Sequence, residues 1–142
     1  MINVLNVGVL CNGAQLVEDN GKYQIVGDPT EGSLLTAAAK TGVLKKDKEK
    51  EFSFIDEIPF DSNRKKMTII RQNNGKIIAF VKGAPDVMLH DCDAIEKNNQ
   101  IFQLTNADKG EIFKINDTLT SGRVAQITVF NLIYVCIIIF SR

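Results

Sequence analysis

One aromatic ring and two ammonium groups stand at the ends of a segment with a hairpin pattern. Phe60 precedes the segment, Lys65 opens it, and Lys82 closes it and is followed directly by Gly83. An aromatic ring can stack on a base, ammonium groups can bind phosphate oxygens, and a glycine leaves the backbone open to a ligand. These residue types, brought to one place, predict a site for a base attached to phosphates.

The elements that must position these side chains are two apolar, strand-like runs. Residues 65–72 and 76–82 are rich in Ile, Val, Met and Phe, and residues 73–75 between them read Asn-Asn-Gly. Asn-Gly tolerates the positive φ angles of a tight turn, so we predict an antiparallel β-hairpin. The start of its first strand then lies beside the end of its second, which brings the aromatic ring and the two lysines together.

The same residues also fit two other interpretations. Lysine is common where a sheet edge is protected from aggregation, so Arg64, Lys65 and Lys66 would form the solvated basic edge of a capped hairpin. Physics alone favours this structural role over a ligand site. The alternative function is a module that binds nucleic acid or another phosphate ligand on a stacking platform. The balance of 17 basic against 17 acidic residues argues against nucleic acid as a partner.

A candidate carboxylate lies in the clearest helical pattern of the chain. Asp28 is a good N-cap and Pro29 suits the first helical position. An apolar stripe then leads to Gly42, so we predict a helix over residues 29–41. Glu31 falls three residues after the cap, where a capping box requires a carboxylate. From the residues alone, closing that box is the simpler role for Glu31.

Four motifs together resemble one known family. They are LCNGAQL at 10–16, GDPTEGSLL at 27–35, FDSNRKKMT at 60–68 and FVKGAPD at 80–86. In this order and spacing they are similar to the nucleotide-binding domain of P-type cation-transporting ATPases, and within that family to the type II, calcium-pump-like group. The resemblance covers residues 7–123 and favours a helix through the first motif.

The resemblance implies how the base and the phosphates of ATP are bound. Phe60 is expected to stack on adenine, and Glu31 is expected to accept a hydrogen bond from the adenine amino group. The resemblance therefore favours a ligand role for Glu31 over the capping box.

For the rest of the nucleotide, the resemblance implies that Lys65 and Lys82 line the pocket, with Lys82 at its deep end. Gly83 would let the ligand approach the backbone, and Arg123 would help to place the phosphates. Ser62 stands where calcium pumps often have an arginine, which is expected to weaken phosphate binding.

The chemistry of such pumps is not expected in this chain. It contains neither the DKTGT string with its phosphorylatable aspartate nor a GxxxxGK[ST] phosphate loop. We therefore expect no catalytic residue, and an ATP-presenting fragment that does not turn over ATP alone. Mg²⁺ would arrive with the nucleotide, because the sequence offers no dedicated ligand set for a metal. A free-standing hydrolase or kinase would need a positioned base and metal ligands, and the sequence shows no convergent set.

The resemblance also implies the setting of the domain. We expect a cytoplasmic domain of an integral plasma-membrane protein, which meets the membrane only through the parent pump. Its partners would be the nucleotide and the phosphorylation and actuator domains of that pump, and Ca²⁺ is the first expectation for the ion. Three widely spaced cysteines indicate neither a disulfide framework nor a zinc site, and they fit a reducing compartment.

The expected fold is a single α+β domain over residues 1–142, with a mainly antiparallel sheet and helices packed on its faces. The charged run at 45–51 is predicted to be a solvated helix end or loop that carries no site. The tail at 124–142 departs from the family and is nearly all apolar. It is short for a membrane span and interrupted by Gln126 and Asn131, so we predict a strand or a strand pair.

Overall fold

The computed structural model describes residues 4–98, 100–120 and 134–140. In these ranges the helices are α1 (Val4–Leu10), α2 (Pro29–Lys40), α3 (Lys45–Glu51), α4 (Pro85–Asp91) and α5 (Asn106–Thr120). The strands are β1 (Gln15–Asp19), β2 (Lys22–Val26), β3 (Ser53–Asp61), β4 (Lys66–Asn73), β5 (Lys76–Gly83), β6 (Ala94–Lys97), β7 (Gln100–Gln103) and β8 (Tyr134–Phe140). Every pair of neighbouring strands is antiparallel, which confirms the expected α+β class.

A four-stranded sheet in the order β3-β4-β5-β8 forms the frame of the described residues. Two separate hairpins, β1-β2 and β6-β7, accompany it. At the centre of the sheet is the predicted hairpin β4-β5, whose register runs from Asn73 opposite Lys76 to Lys66 opposite Gly83. Asn74 and Gly75 at its turn have φ angles of 49° and 78°, as the Asn-Gly signal requires.

Both faces of the central hairpin are covered by apolar side chains. On one face Met67, Ile69 and Phe80 are buried in the main core, which includes residues of α1 and α2. On the other face Ala79 and Val81 form a second cluster with Met88 of α4. The alternation along β5 therefore divides its side chains between two cores, as expected for a sheet packed on both sides.

Helix α2 begins where the sequence predicts. The Asp28 carboxylate accepts hydrogen bonds from the backbone N–H groups of Thr30, at 2.8 Å, and Glu31, at 3.0 Å. Both hydrogen bonds lower the pKa of Asp28, and the bond from the Glu31 N–H has the larger effect. The capping box is not closed, because the Glu31 carboxylate faces Gly13 and Lys82 instead of the backbone of Asp28.

The prediction of a helix through residues 10–16 is wrong. Helix α1 ends at Leu10, and β1 begins at Gln15. The Asn12 side chain donates to the carbonyl of Gly8 at 2.9 Å, which satisfies an oxygen of the last turn and ends the helix. Ala14 then contacts Gly27, whose φ of 118° suits glycine, where the chain enters the β1-β2 hairpin.

Two further predictions concern the charged run and the tail. Residues Lys45–Glu51 form helix α3, but Lys45 is not simply solvated, because its ammonium group binds two backbone carbonyls. Within the tail, where the sequence predicts a strand or a strand pair, Tyr134–Phe140 is a strand and pairs with β5, while residues 124–133 and 141–142 lie outside the described part of the chain. None of the helices in the described ranges has the length and apolar content that crossing a membrane requires.

Candidate functional site

Four of the predicted site residues, Phe60, Lys65, Lys82 and Gly83, lie at the same end of the four-stranded sheet. The register places Asp61 opposite Lys66, and Lys66 opposite Gly83. Asp61, Lys66 and Gly83 thus form a row across the three strands. They directly follow Phe60, Lys65 and Lys82, respectively. The strand ends therefore gather backbone positions that are separated by up to 22 residues in sequence.

Lys82 forms an ion pair with Glu31. Its ammonium group donates to Oε1 of the carboxylate, and the two side chains are 14% and 18% exposed, respectively. Lys82 is paired with Met67 in the register, so it shares the sheet face that lies over the main core and α2. The first turn of α2 and the end of β5 are thus joined at the border of that core.

The second oxygen of the same carboxylate also has a partner. Glu31 Oε2 accepts a hydrogen bond from the backbone N–H of Gly13, at 3.0 Å. A Cβ at position 13 would lie 3.2 Å from this oxygen, so the close approach suits glycine. Each carboxylate oxygen can accept two hydrogen bonds, and each has one such partner among the residues that the structure describes, which leaves one acceptor position on each.

Lys65 lies in the turn between β3 and β4, with a φ of 52°. Its ammonium group is 3.4 Å from the Asp86 carboxylate in the first turn of α4. The backbone N–H of Val87 and the Lys65 charge lower the pKa of Asp86. The neighbouring Lys66 forms an ion pair with Asp91 at the other end of α4 and lowers its pKa. Consecutive lysines thus hold both ends of this helix.

Phe60 remains exposed at the end of β3. Its exposed fraction is 64%, although it is a large apolar side chain. The pairing of β3 with β4 shifts between Ile58 and Asp61, which places Phe60 inside an irregular stretch of the strand. An exposed aromatic ring beside a row of charged residues is available for stacking on a ligand.

Gly83 is needed by the packing of the chain itself. A Cβ at this position would lie 2.6 Å from the carbonyl oxygen of Lys65 and 2.7 Å from Cβ of Lys66. The same carbonyl accepts a hydrogen bond from the N–H of Ala84, at 3.0 Å. Any other residue at position 83 would therefore push the turn before β4 away from the start of α4.

Arg123, the remaining predicted phosphate contact, lies outside the described residues. Across residues 4–98, 100–120 and 134–140, no three His, Cys, Asp or Glu side chains converge as they would around a metal ion. The described part of the site therefore consists of a carboxylate, two ammonium groups, an exposed ring and backbone donors.

Three contributors to this site escaped the sequence prediction. They belong to or hold the loop between α1 and β1: Gly13 N–H donates to the Glu31 carboxylate, Asn12 donates to the Glu31 backbone carbonyl, and Lys45 donates to the carbonyl of Asn12. The motif at 10–16 contains the first two, but its residues do not reveal that both contact Glu31. Lys45 lies 33 residues from Asn12, inside a charged run that looks like ordinary solvated surface.

Cys11 lies beside the ion pair, at the start of the same loop. It is fully buried, and its thiol lies 3.8 Å from the carbonyl of Met67. Burial raises the pKa of Cys11 to about 11, although the nearby Lys82 charge opposes the shift. The thiol is therefore neutral at physiological pH. It is part of the buried apolar core next to the Glu31–Lys82 pair.

The arrangement suits recognition of a polar base better than bond making. Glu31 offers acceptor positions to an amino group, Lys82 has three donor hydrogens of which one serves Glu31, and Phe60 offers a stacking face. At this site, none of the described side chains is a hydroxyl or thiol hydrogen-bonded to a side-chain base, the arrangement that nucleophilic catalysis by Ser, Thr or Cys needs.

Comparisons with known proteins identify the family of the chain. Residues 1–128 match the family model described as the cytoplasmic domain N of P-type ATPases. The chain is 39% identical over 127 residues to a calcium-transporting ATPase of Bacillus subtilis, and this match covers 89% of the chain and 14% of that protein's length. It is 41% identical over 106 residues to calcium-transporting ATPase 1 of Bacillus cereus, covering 75% of the chain and 12% of that protein.

A cyanobacterial relative gives the same result. The cation-transporting ATPase pma1 of Synechocystis is 35% identical over 108 residues, which cover 76% of the chain and 12% of that protein. The chain thus spans a small part of the length of the curated relatives it matches. Because the family model covers nearly all of the chain, the chain belongs to the family of the cytoplasmic N domain of P-type ATPases.

Proposed function

We propose that this chain is the ATP-binding module of a P-type cation pump. Glu31, Phe60, Lys65, Lys82 and Gly83 would form its pocket, and Arg123 would add a phosphate contact. Ca²⁺ is the proposed ion, because two of the similar proteins are calcium-transporting ATPases. The phosphorylation and actuator domains of the parent pump would be its partners, and the module would present ATP to an aspartate in the first of these.

One observation carries this proposal: an exposed aromatic ring lies at the same end of the sheet as the Glu31–Lys82 pair. Phe60 would stack on adenine, and Glu31 would accept a hydrogen bond from its amino group. The carboxylate is already oriented by Gly13 and Lys82, so little side-chain freedom is lost when the base binds.

The phosphates would meet the cationic side of the site. Lys82 has donor hydrogens beyond the one that it gives to Glu31, and among the described residues the Lys65 ammonium group forms an exposed ion pair with Asp86. Ser62 adds no charge beside Phe60, so the affinity should depend more on the base than on the phosphate chain. Mg²⁺ would enter with the nucleotide, bound mainly by its phosphates.

The test is a titration of the chain with ATP, ADP and GTP, followed by NMR. We expect saturable, adenine-selective binding that moves the amide resonances of Gly13, Glu31 and Lys82. Phe60→Ala should weaken ATP binding by about 5-fold to 150-fold, the range for loss of one stacked base.

Phe54→Ala is the matched control, because Phe54 lies on the same strand and is 58% exposed. It should leave ATP affinity unchanged. Equal affinities for ATP in the wild type and in Phe60→Ala would contradict the proposed pocket.

A further inference from the structure

The peptide bond between Asn12 and Gly13 is held from both sides. Its carbonyl oxygen accepts a hydrogen bond from Lys45 Nζ at 2.6 Å, and its N–H donates to Glu31 Oε2 at 3.0 Å. The C=O and N–H of a trans peptide point in opposite directions. The planar peptide group therefore lies between the Lys45 ammonium group and the Glu31 carboxylate and contacts both. A cation at the carbonyl also polarises the peptide and makes its N–H a stronger donor.

The side chain of Asn12 fixes the same loop to both neighbouring helices. Its Nδ2 donates to the carbonyl of Gly8 and to the carbonyl of Glu31, each at 2.9 Å. Its Oδ1 accepts from the N–H of Ala14, also at 2.9 Å, and the residue is 1% exposed. The loop is therefore tied to the backbone of Glu31 as well as to its side chain.

Lys45 is held in place by two carbonyls of this loop. Besides the carbonyl of Asn12, its ammonium group binds that of Ala14 at 2.9 Å, and its side chain is 17% exposed. Glu49 lies 3.9 Å away on the same helix. Withdrawal from water lowers the pKa of Lys45, and the two hydrogen bonds offset part of this cost. A cation kept here at some cost fits a role beyond solubility.

We propose that Lys45 and Asn12 are positioning residues for base recognition. By fixing the peptide between Asn12 and Gly13, they hold the Glu31 carboxylate in the orientation that selects an amino-bearing purine. This inference rests on the proposed function, since it gives Glu31 the adenine-binding role described above. It extends the site to residues that never touch the ligand.

The experiment compares Lys45→Met with the wild-type chain by two measurements. The first is the amide proton resonance of Gly13 without nucleotide, which should move upfield because its hydrogen bond to the carboxylate weakens. The second is the ratio of the Kd values for ITP and ATP, since ITP lacks the adenine amino group. This ratio should fall by about threefold to tenfold, the worth of one hydrogen bond.

Matched variants separate positioning from general stability. Lys50→Met removes the same charge from the same helix at a side chain that is 75% exposed, and it should change neither measurement. Lys45→Arg keeps the charge and should restore both. If Lys45→Met does not fold, Lys45→Gln keeps donor hydrogens without the charge and allows the same comparison.

The proposal is overturned if Lys45→Met and Lys50→Met give the same Gly13 resonance and the same ITP-to-ATP ratio in folded protein. A wild-type chain that binds ATP and ITP equally would instead refute the adenine role of Glu31 in the proposed function. In that case a shifted Gly13 resonance in Lys45→Met would still support the positioning of the carboxylate by Lys45. The two ideas can thus fail separately.

Discussion

At the scale of single residues, Glu31 contacts parts of the chain that are far apart in sequence. Its backbone N–H is capped by Asp28, its carbonyl accepts from Asn12, and its carboxylate meets Gly13 and Lys82. A glutamate that only closed a capping box would need no partner outside its own helix. The contacts of Glu31 therefore show a carboxylate held by partners outside its own helix.

The Glu31–Lys82 pair should be energetically coupled. Glu31→Gln or Lys82→Met leaves the other charge in a site less than 20% exposed, and each should cost about 1 to 3 kcal/mol of unfolding free energy. The double variant should cost less than the sum, with a coupling of about 0.5 to 3 kcal/mol. Urea unfolding of the four proteins measures this coupling.

The exposed pair of Lys50 and Asp47 serves as the control cycle, with side chains 75% and 50% exposed. It should show no measurable coupling, because solvent screens such pairs. Additive costs at Glu31 and Lys82 would mean that their contact contributes nothing in solution.

Cys11 gives a pH dependence with a defined sign. Its pKa is raised from 9.0 to about 11 in the folded chain, so the unfolded thiol loses its proton first as pH rises. The stabilisation by the neutral thiol is therefore complete below pH 9 and is lost between pH 9 and about 11. The loss should be about 2 to 3 kcal/mol at the upper end.

Urea unfolding of the wild type and of Cys11→Ala across this range measures the effect. Lysines titrate in both proteins, so the difference between the two curves isolates the thiol. Curves that stay parallel from pH 8 to pH 11 would refute the prediction.

At the scale of elements, the space around each glycine decides whether alanine can replace it. Gly32 lies on the face of α2 that meets β2, and a Cβ there would overlap a methyl group of Ile25 and lie 2.9 Å from its Cγ1. Gly110 lies in α5, where a Cβ would have no neighbour within 4 Å. The same substitution should therefore have opposite effects in the two helices.

Gly32→Ala should destabilise the chain by about 1 to 3 kcal/mol, because the β1-β2 hairpin must move away from α2. Gly110→Ala should stabilise it by up to about 1 kcal/mol, since alanine is the better helix former. Thermal unfolding of the two variants compares them directly. A stabilised Gly32→Ala would show that α2 and β2 are not in tight contact.

Elements with strong local signals are the ones that the sequence predicts well. The Asn-Gly turn defines the β4-β5 hairpin, and Asp28 with Pro29 defines the start of α2. The helix expected at 10–16 fails, because the Asn12 side chain competes with the backbone for the carbonyl of Gly8. Local rules thus identify elements and miss a helix end that depends on one side-chain hydrogen bond.

At the scale of the whole molecule, the candidate site depends on contacts that no local pattern reveals. Glu31 and Lys82 are 51 residues apart, and Lys45 reaches carbonyls 31 and 33 residues away. The hairpin pattern predicts Lys82 as a site residue, but nothing local in the motifs at 27–35 and 80–86 pairs it with Glu31. Tertiary packing alone decides that a lysine of a charged helix holds the loop beside Glu31.

The whole chain should bind ATP without hydrolysing it. Nucleotide that binds only the folded state raises its unfolding free energy, by about 2.7 kcal/mol at 100 times the Kd. ATP should therefore raise the thermal midpoint of the wild type, whereas Phe60→Ala should respond much less at the same concentration. A phosphate-release assay on the same samples should show no turnover, because the chain contains no DKTGT aspartate. Sustained phosphate release would overturn the view of this chain as a presenting module, since it would require a nucleophile and a base within these 142 residues.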